Sequence, residues 1–363
     1  MGKIKYPVYQ PSLNGNEKKY VEECLDSTWI SSKGKFVNEF ESQFSRYVGT
    51  EFATTVCNGT AALHLAMVAL GLGEGDEVIV PTLTYIASVN AITYTGAKAV
   101  FVDSLQETWQ LDPEDVKRKI TPATKAILCV HLYGQACDMD TLASLAQENS
   151  LFLIEDCAEA IGTFYKNKHV GTFGDAATFS FYGNKTITTG EGGMVLTNDG
   201  TLHNRLIHLK GQGLAMYREY WHDVIGYNYR MTNICAAIGL AQLEQLPHIL
   251  KKKRQIARWY QEGLQGSGFK IHKEASDTVH SYWMCTIVIP YDMDRNALKQ
   301  HLIDNGIETR PMFYPIHTMP IYSKRYEKHP IAEYLGRLGM NLPSYPDLVK
   351  VDVDQIVDSI LAF

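Results

Sequence analysis

Between positions 52 and 156, short apolar runs alternate with helical stretches at intervals of roughly 25 residues, and this most narrows the possible folds. Phe52–Cys57, Val78–Val80, Lys98–Val102, Ala126–Val130 and Leu151–Ile154 read as strands. Ala61–Gly71, the stretch ending near Tyr94, Pro113–Lys119 and the stretch from Asp138 to Asn149 read as helices. Such alternation predicts an α/β domain whose mostly parallel sheet carries helices on both faces. Crossovers are then right-handed, and ligands sit beyond the carboxyl ends of the strands. Asn58-Gly59-Thr60, Tyr85, His131 and Asp156 all follow strand ends and are expected to share that edge.

The stretch Ser180-Phe181-Tyr182-Gly183-Asn184-Lys185, closed by Gly190-Glu191-Gly192-Gly193, lies between two further strands, Ala176–Phe181 and Met194–Thr197. Turn residues crowd Lys185, and no acid lies within four positions of it. An amine held at a sheet edge and partly desolvated is suited to trapping a carbonyl. Taken alone, the stretch is more readily read as a surface lysine in a turn-rich loop. Asn58-Gly59-Thr60 likewise fits either an ordinary helix cap or a phosphate cradle at a helix start.

Farther along, a Gly-, Tyr- and Trp-rich loop spans Gly211–Tyr227. A helix is predicted over Asn233–Leu246, and Pro247 is expected to begin another. The run Lys251-Lys252-Lys253-Arg254 reads as a solvated face. From Gly266 the pattern becomes α+β: a strand at Tyr282–Ile289, a helix at Arg295–Asn305, a strand at Glu308–Arg310 and a closing helix at Val353–Ala362. The expected division is a large domain over residues 1–245 and a smaller C-terminal domain over 246–363.

A formal charge of −6 gives no basic footprint for nucleic acid. No apolar run is long enough to span a bilayer, and the N-terminus lacks the apolar core of a signal peptide. A cytoplasmic protein is expected. The seven cysteines form no CxxC pair, which favours buried thiols over a metal site. No GxxxxGK[ST] or well-placed GxGxxG occurs, so a nucleotide-driven reaction has no motif.

A lysine, an aspartate, an aromatic ring and a phosphate cradle at one sheet edge match the needs of pyridoxal phosphate. The chain resembles the DegT/DnrJ/EryC1/StrS sugar-nucleotide aminotransferases, of the aspartate-aminotransferase fold (fold type I). The motifs carrying the resemblance are Gly59-Thr60-Ala61-Ala62-Leu63, Pro81-Thr82-Leu83-Thr84-Tyr85, Glu155-Asp156-Cys157-Ala158, Ser180-Phe181 with Lys185, Gly190–Gly193, Gly226-Tyr227-Asn228-Tyr229-Arg230-Met231 and Asn341-Leu342-Pro343-Ser344.

The resemblance implies that Lys185 carries the cofactor and shuttles the proton, and that Asp156 faces the pyridine nitrogen. Tyr85 would stack on the ring, Gly59, Thr60 and Ser180 would bind the phosphate, and Glu159 would approach the ring oxygen. Asn228 would reach the phosphate of a neighbouring subunit, making a homodimer. The cofactor would alternate between pyridoxal and pyridoxamine phosphate, with L-glutamate as donor. The acceptor would be a nucleotide-linked keto sugar, GDP-linked and aminated at C4. Arg310, Tyr314 and His317 would contact that sugar nucleotide, although an isolated loop histidine is more often structural. Relatives that carry histidine in place of the lysine are 3-dehydratases; this chain keeps Lys185. The motifs read neither the base nor the sugar carbon, so UDP- or dTDP-linked sugars, C3 chemistry and a lysine-bearing dehydratase stay open. A cofactor-binding regulator would need an added basic or partner segment, and none is evident.

Overall fold

The computed structural model describes residues 4–363 apart from Arg325. Its largest sheet has seven strands: β1 (Phe52–Val56), β2 (Glu77–Pro81), β3 (Lys98–Val102), β4 (Thr124–Val130), β5 (Phe152–Asp156) and two that follow a short ribbon, β6 (Phe164–Tyr165) with β7 (Lys168–His169). Those two are β8 (Ala176–Ser180) and β9 (Gly193–Thr197). Their spatial order is β1-β9-β8-β5-β4-β2-β3. β5 pairs in parallel with both β4 and β8, and β2 in parallel with β3 and β4. β9 runs antiparallel to both of its neighbours, β1 and β8. The expected mostly parallel sheet is therefore present, with one reversed strand.

The apolar runs make sense as strands covered on both faces. Ile79, Ile127, Cys129, Leu153, Ala177 and Phe179 pack on one side, with Phe36, Phe40 and Phe44 of the helix Lys35–Val48. Val78, Val80, Ala126, Leu128 and Ile154 face the other side, with Leu63 and Met67 of the helix Gly59–Leu70. Alternate residues of each strand thus enter opposite cores, as the two-residue repeat of a strand requires. Phe44 sits at the centre of the first core, with ring centroids 5.0 Å from Phe179 and 5.3 Å from Phe181. The i, i+4 spacing of Phe36, Phe40 and Phe44 sets this stripe, and Gly49, at φ 96°, ends the helix.

A second sheet, β10 (Lys270–Ile271), β12 (Cys285–Val288), β14 (Gly339–Leu342) and β13 (Arg310–Pro311), is antiparallel throughout. β11 (Thr278–Val279) joins the β6–β7 ribbon instead. The core around the second sheet also takes in Leu83, Leu132 and Tyr133 from the first half of the chain.

One expected break is absent. Asn233–Gly263 is a single helix, with Pro247 inside it. A proline costs an interior helix about 3 kcal/mol. Pro247 is exposed, while Leu246, Ile249 and Leu250 beside it are buried, so packing of their face outweighs that cost. The helix runs unbroken past residues 245 and 246. Its first half lies in the core beneath the large sheet, and Ile256, Ala257 and Tyr260 lie in the C-terminal core. The Lys251–Arg254 run is not uniformly solvated either: Lys253 is wholly buried.

Phe44 is fully buried among three other phenylalanines. Phe44→Ala should lower the unfolding free energy by about 3–5 kcal/mol, read as an earlier midpoint in urea titration.

Candidate active site

β1 leads directly into the helix Gly59–Leu70 through Asn58. Asn58 is extended, and its side chain accepts the Ala61 N–H at 2.8 Å, capping the helix. Gly59 and Thr60 are the first two helical residues, so their N–H groups have no acceptor within the helix. Ser180, at the end of β8, closes against this turn: a Cβ on Gly59 would stand 2.7 Å from Ser180 Cβ. Gly193, at the start of β9, allows a similar approach, since its Cβ would lie 2.4 Å from the Asn58 carbonyl oxygen. The two glycines let three backbone segments meet around free helix-end donors, the arrangement that attracts an anion.

Asp156 ends β5 and is buried. Ser88 Oγ donates to its Oδ2 at 2.8 Å, and the Ala158 N–H donates to its Oδ1 at 3.1 Å. Burial raises its pKa above the ordinary carboxylate range, against the pull of those two donors. Glu159 follows within the same turn. Its Oε2 accepts the Tyr133 N–H at 2.8 Å, and its Oε1 lies 3.7 Å from Lys185 Nζ. Burial pushes Glu159 up to about 7, with Lys185 opposing the shift. Lys185 is lowered from the usual lysine range by burial, while Glu159 and Asp156 pull it back.

The lysine is fixed from several sides. Its own N–H bonds to the Tyr182 carbonyl at 2.9 Å. Trp283 Nε1 donates to the neighbouring Asn184 carbonyl at 2.7 Å, and Lys185 Nζ lies 3.9 Å from the centre of a Trp283 ring. A buried amine facing two carboxylates and a π surface is both positioned and less basic than a free lysine.

These groups line a single cavity of about 670 Å³. Of the residues expected from sequence, Gly59, Thr60, Tyr85, Asp156, Glu159, Ser180, Lys185 and Arg310 are on its wall. Tyr85 is exposed at the mouth, 5.6 Å from Phe313. Three are elsewhere. Asn228 is paired with Gly211 across an isolated bridge and does not line this cavity. Tyr314 receives a hydrogen bond from Arg295 at 3.0 Å and borders a shallower groove. His317 is buried, bonded to Thr82 Oγ1 at 2.7 Å and to Glu333 at 3.2 Å. That is the structural histidine the sequence suggested as the commoner case. His131 follows its strand end but turns inward, bonded to Glu155 at 3.1 Å and to the Cys137 N–H.

Sequence reasoning missed Ser88, Trp283, His64 and Tyr229, all on the wall. Ser88 is legible only as one helical turn beyond Tyr85, on the same helix. Trp283 follows Tyr282, whose φ of 52° breaks the expected strand and turns the chain; nothing local marks it. Asn184 lies in the lysine stretch, and its buried Oδ1 has no partner among the described residues.

The donor set fits pyridoxal phosphate: a small-residue cradle at a helix start, a buried carboxylate, an aromatic at the mouth and a buried lysine whose basicity burial lowers. Comparison with known proteins agrees. The chain is 62% identical to GDP-perosamine synthase of Escherichia coli O157:H7 over 361 residues, covering 99% of each. It is 52% identical to GDP-perosamine synthase of Vibrio cholerae, covering 98% of each. The Spr1654 protein of Streptococcus pneumoniae, solved in a PLP form, superposes with a TM-score of 0.94 at 28% identity, covering 99% of this chain and 98% of that one. The model of the DegT/DnrJ/EryC1/StrS aminotransferase family matches residues 11–361, and with the full-length relatives it establishes that the chain belongs to that family.

Proposed function

We propose that this protein is a pyridoxal-phosphate-dependent aminotransferase that moves the amino group of L-glutamate to C4 of GDP-4-keto-6-deoxy-D-mannose, giving GDP-perosamine. The observation that carries the choice of sugar is the end-to-end similarity to GDP-perosamine synthases. The product, a 4-amino-4,6-dideoxy sugar, suits surface polysaccharide such as O-antigen. No helix among the described residues is long and apolar enough to cross a membrane, in keeping with a cytoplasmic enzyme.

Gly59, Thr60 and Ser180 would hold the phosphate of the cofactor, and Tyr85 would cover its ring. When bound, pyridoxal phosphate supplies an electron sink that stabilises negative charge at the substrate carbon. Asp156, aligned by Ser88 and the Ala158 N–H, would hold a proton at the pyridine nitrogen. Glu159 is close enough to Lys185 to serve the ring oxygen or the lysine, and its raised pKa lets it carry a proton near neutrality. Lys185 has its basicity lowered by burial, so a larger share of it is free amine at neutral pH. That form takes a proton from the substrate carbon and returns it one position away. Glutamate leaves as 2-oxoglutarate before the keto sugar enters, so the kinetics are ping-pong. Arg310, exposed at the cavity, is the candidate contact for the sugar nucleotide.

A homodimer is part of the same reading. Met216, Tyr217, Tyr220 and Ile225 are all more than 70% exposed on the loop that leads to Asn228. A neighbouring subunit would cover them, and Asn228, which does not line the active-site cavity of its own chain, would complete the partner's phosphate site.

Incubating the holoenzyme with nitrogen-labelled glutamate and GDP-4-keto-6-deoxy-D-mannose should give a product labelled at C4 by NMR. Label at C3, or a deoxygenated unlabelled sugar, would refute the assignment. Lys185→Ala should lose at least about 10³-fold in turnover, measured as 2-oxoglutarate released. Uptake of the cofactor by the cofactor-free enzyme should rise with pH through an inflection below the ordinary lysine value of 10.5. Glu159→Gln removes a carboxylate that raises the Lys185 pKa, so the inflection should move to lower pH.

A further inference from the structure

Two sequence features remain without a role in this scheme: the buried end of the Lys251–Arg254 run, and the Asn341-Leu342-Pro343-Ser344 motif. They meet at one place. Lys253 is 0% exposed, on the helix Asn233–Gly263. Its Nζ donates to the Ser344 carbonyl at 2.7 Å and lies 5.1 Å from the ring centre of Tyr9. Among the described residues no carboxylate forms an ion pair with it. Burial lowers its pKa to about 8. An ammonium without a counter-ion is costly to bury, and here a carbonyl and a ring face take the place of an acid.

Tyr9 connects this cluster to the reaction. Its hydroxyl donates to the main-chain oxygen of Lys185, 176 residues away. Burial holds the phenol well above its usual pKa, which keeps it a donor. The segment that carries Tyr9 is itself tied to the C-terminal half. Val8 N–H bonds to Glu308 at 3.0 Å, and the Ser344 N–H bonds to the Val8 carbonyl at 3.2 Å. Lys253 thus grips the Ser344 carbonyl, and both flank the segment of Val8 and Tyr9 that delivers the Tyr9 hydroxyl. The peptide oxygens of Asn184 and Lys185 are consequently held by two aromatic side chains, Trp283 and Tyr9, from opposite ends of the sequence.

We propose that Tyr9 is a positioning residue for Lys185, and that Lys253, anchored on the Ser344 carbonyl, keeps the Tyr9 ring in place. This rests on Lys185 being the reactive amine. A hydroxyl on the peptide oxygen fixes the direction in which the side chain leaves the loop, and catalysis by a proton-shuttling amine is sensitive to that direction.

Three variants test this: Tyr9→Phe, Lys253→Met and the double change. Each is measured for kcat and KM with glutamate, and for the rate at which cofactor-free enzyme takes up pyridoxal phosphate. Tyr9→Phe removes one hydroxyl and keeps the ring, so kcat and the uptake rate should each fall roughly tenfold, with KM for glutamate little changed. Lys253→Met should show the same pattern, and the double variant should be no worse than the poorer single one, because both act through one contact. Parental kcat and uptake rate in Tyr9→Phe would overturn the proposal. Multiplied losses in the double variant would overturn the link through Lys253. If Lys253→Met does not fold, Tyr9→Phe alone decides the first part. Lys185→Ala separates the two ideas: an active Lys185→Ala enzyme refutes the reaction itself, whereas a dead one beside a normal Tyr9→Phe refutes only the positioning.

Discussion

The site depends on keeping one amine out of water. Lys185 loses solvation at the sheet edge, which drives its proton off, while Glu159 and Asp156 draw the proton back. The same burial raises Glu159 to about 7, a penalty on its ionised form on the order of 3 kcal/mol. Neither carboxylate simply neutralises the lysine. The balance leaves an amine that gives up its proton more readily than an exposed lysine does.

The architecture supplies the burial and the direction. β1, β5 and β8 deliver Asn58, Asp156 and Ser180 to the same edge, and the reversed β9 lets the lysine loop return between its neighbours. Close approach of those segments requires Gly59 and Gly193, because side chains there would meet Ser180 and the Asn58 backbone. The second sheet brings Trp283 and Phe313 to the opposite wall. The cavity therefore lies where the two cores meet. The helix Asn233–Gly263 belongs to both and stays continuous through a proline because its buried face outweighs the lost hydrogen bond.

Residue chemistry and spacing alone determined much of this. Strand–helix alternation and the Gly-bounded lysine stretch were enough to derive the parallel sheet, its functional edge and the meeting of Gly59, Asp156 and Lys185, because each of these signals is local or periodic; Ser180 joined them only through the family resemblance. Only the tertiary structure decided the rest. Trp283 and Tyr9 reach the lysine loop, and Lys253 reaches Tyr9, across long stretches of chain, and nothing in their immediate neighbours encodes that. Lys253 sits in a charged run that reads as solvent-facing, yet it is buried because its helix turns that one position toward the Tyr9 ring and the Ser344 carbonyl. The resemblance suggested Tyr314 and His317 as contacts of the sugar nucleotide, although a loop histidine is more often structural. Their hydrogen bonds to Thr82, Glu333 and Arg295 turn them away from the site. Local pattern fixes which backbone ends share an edge; which distant side chains fold onto that edge is settled by packing, where desolvation and hydrogen-bond satisfaction select among rotamers the sequence leaves open.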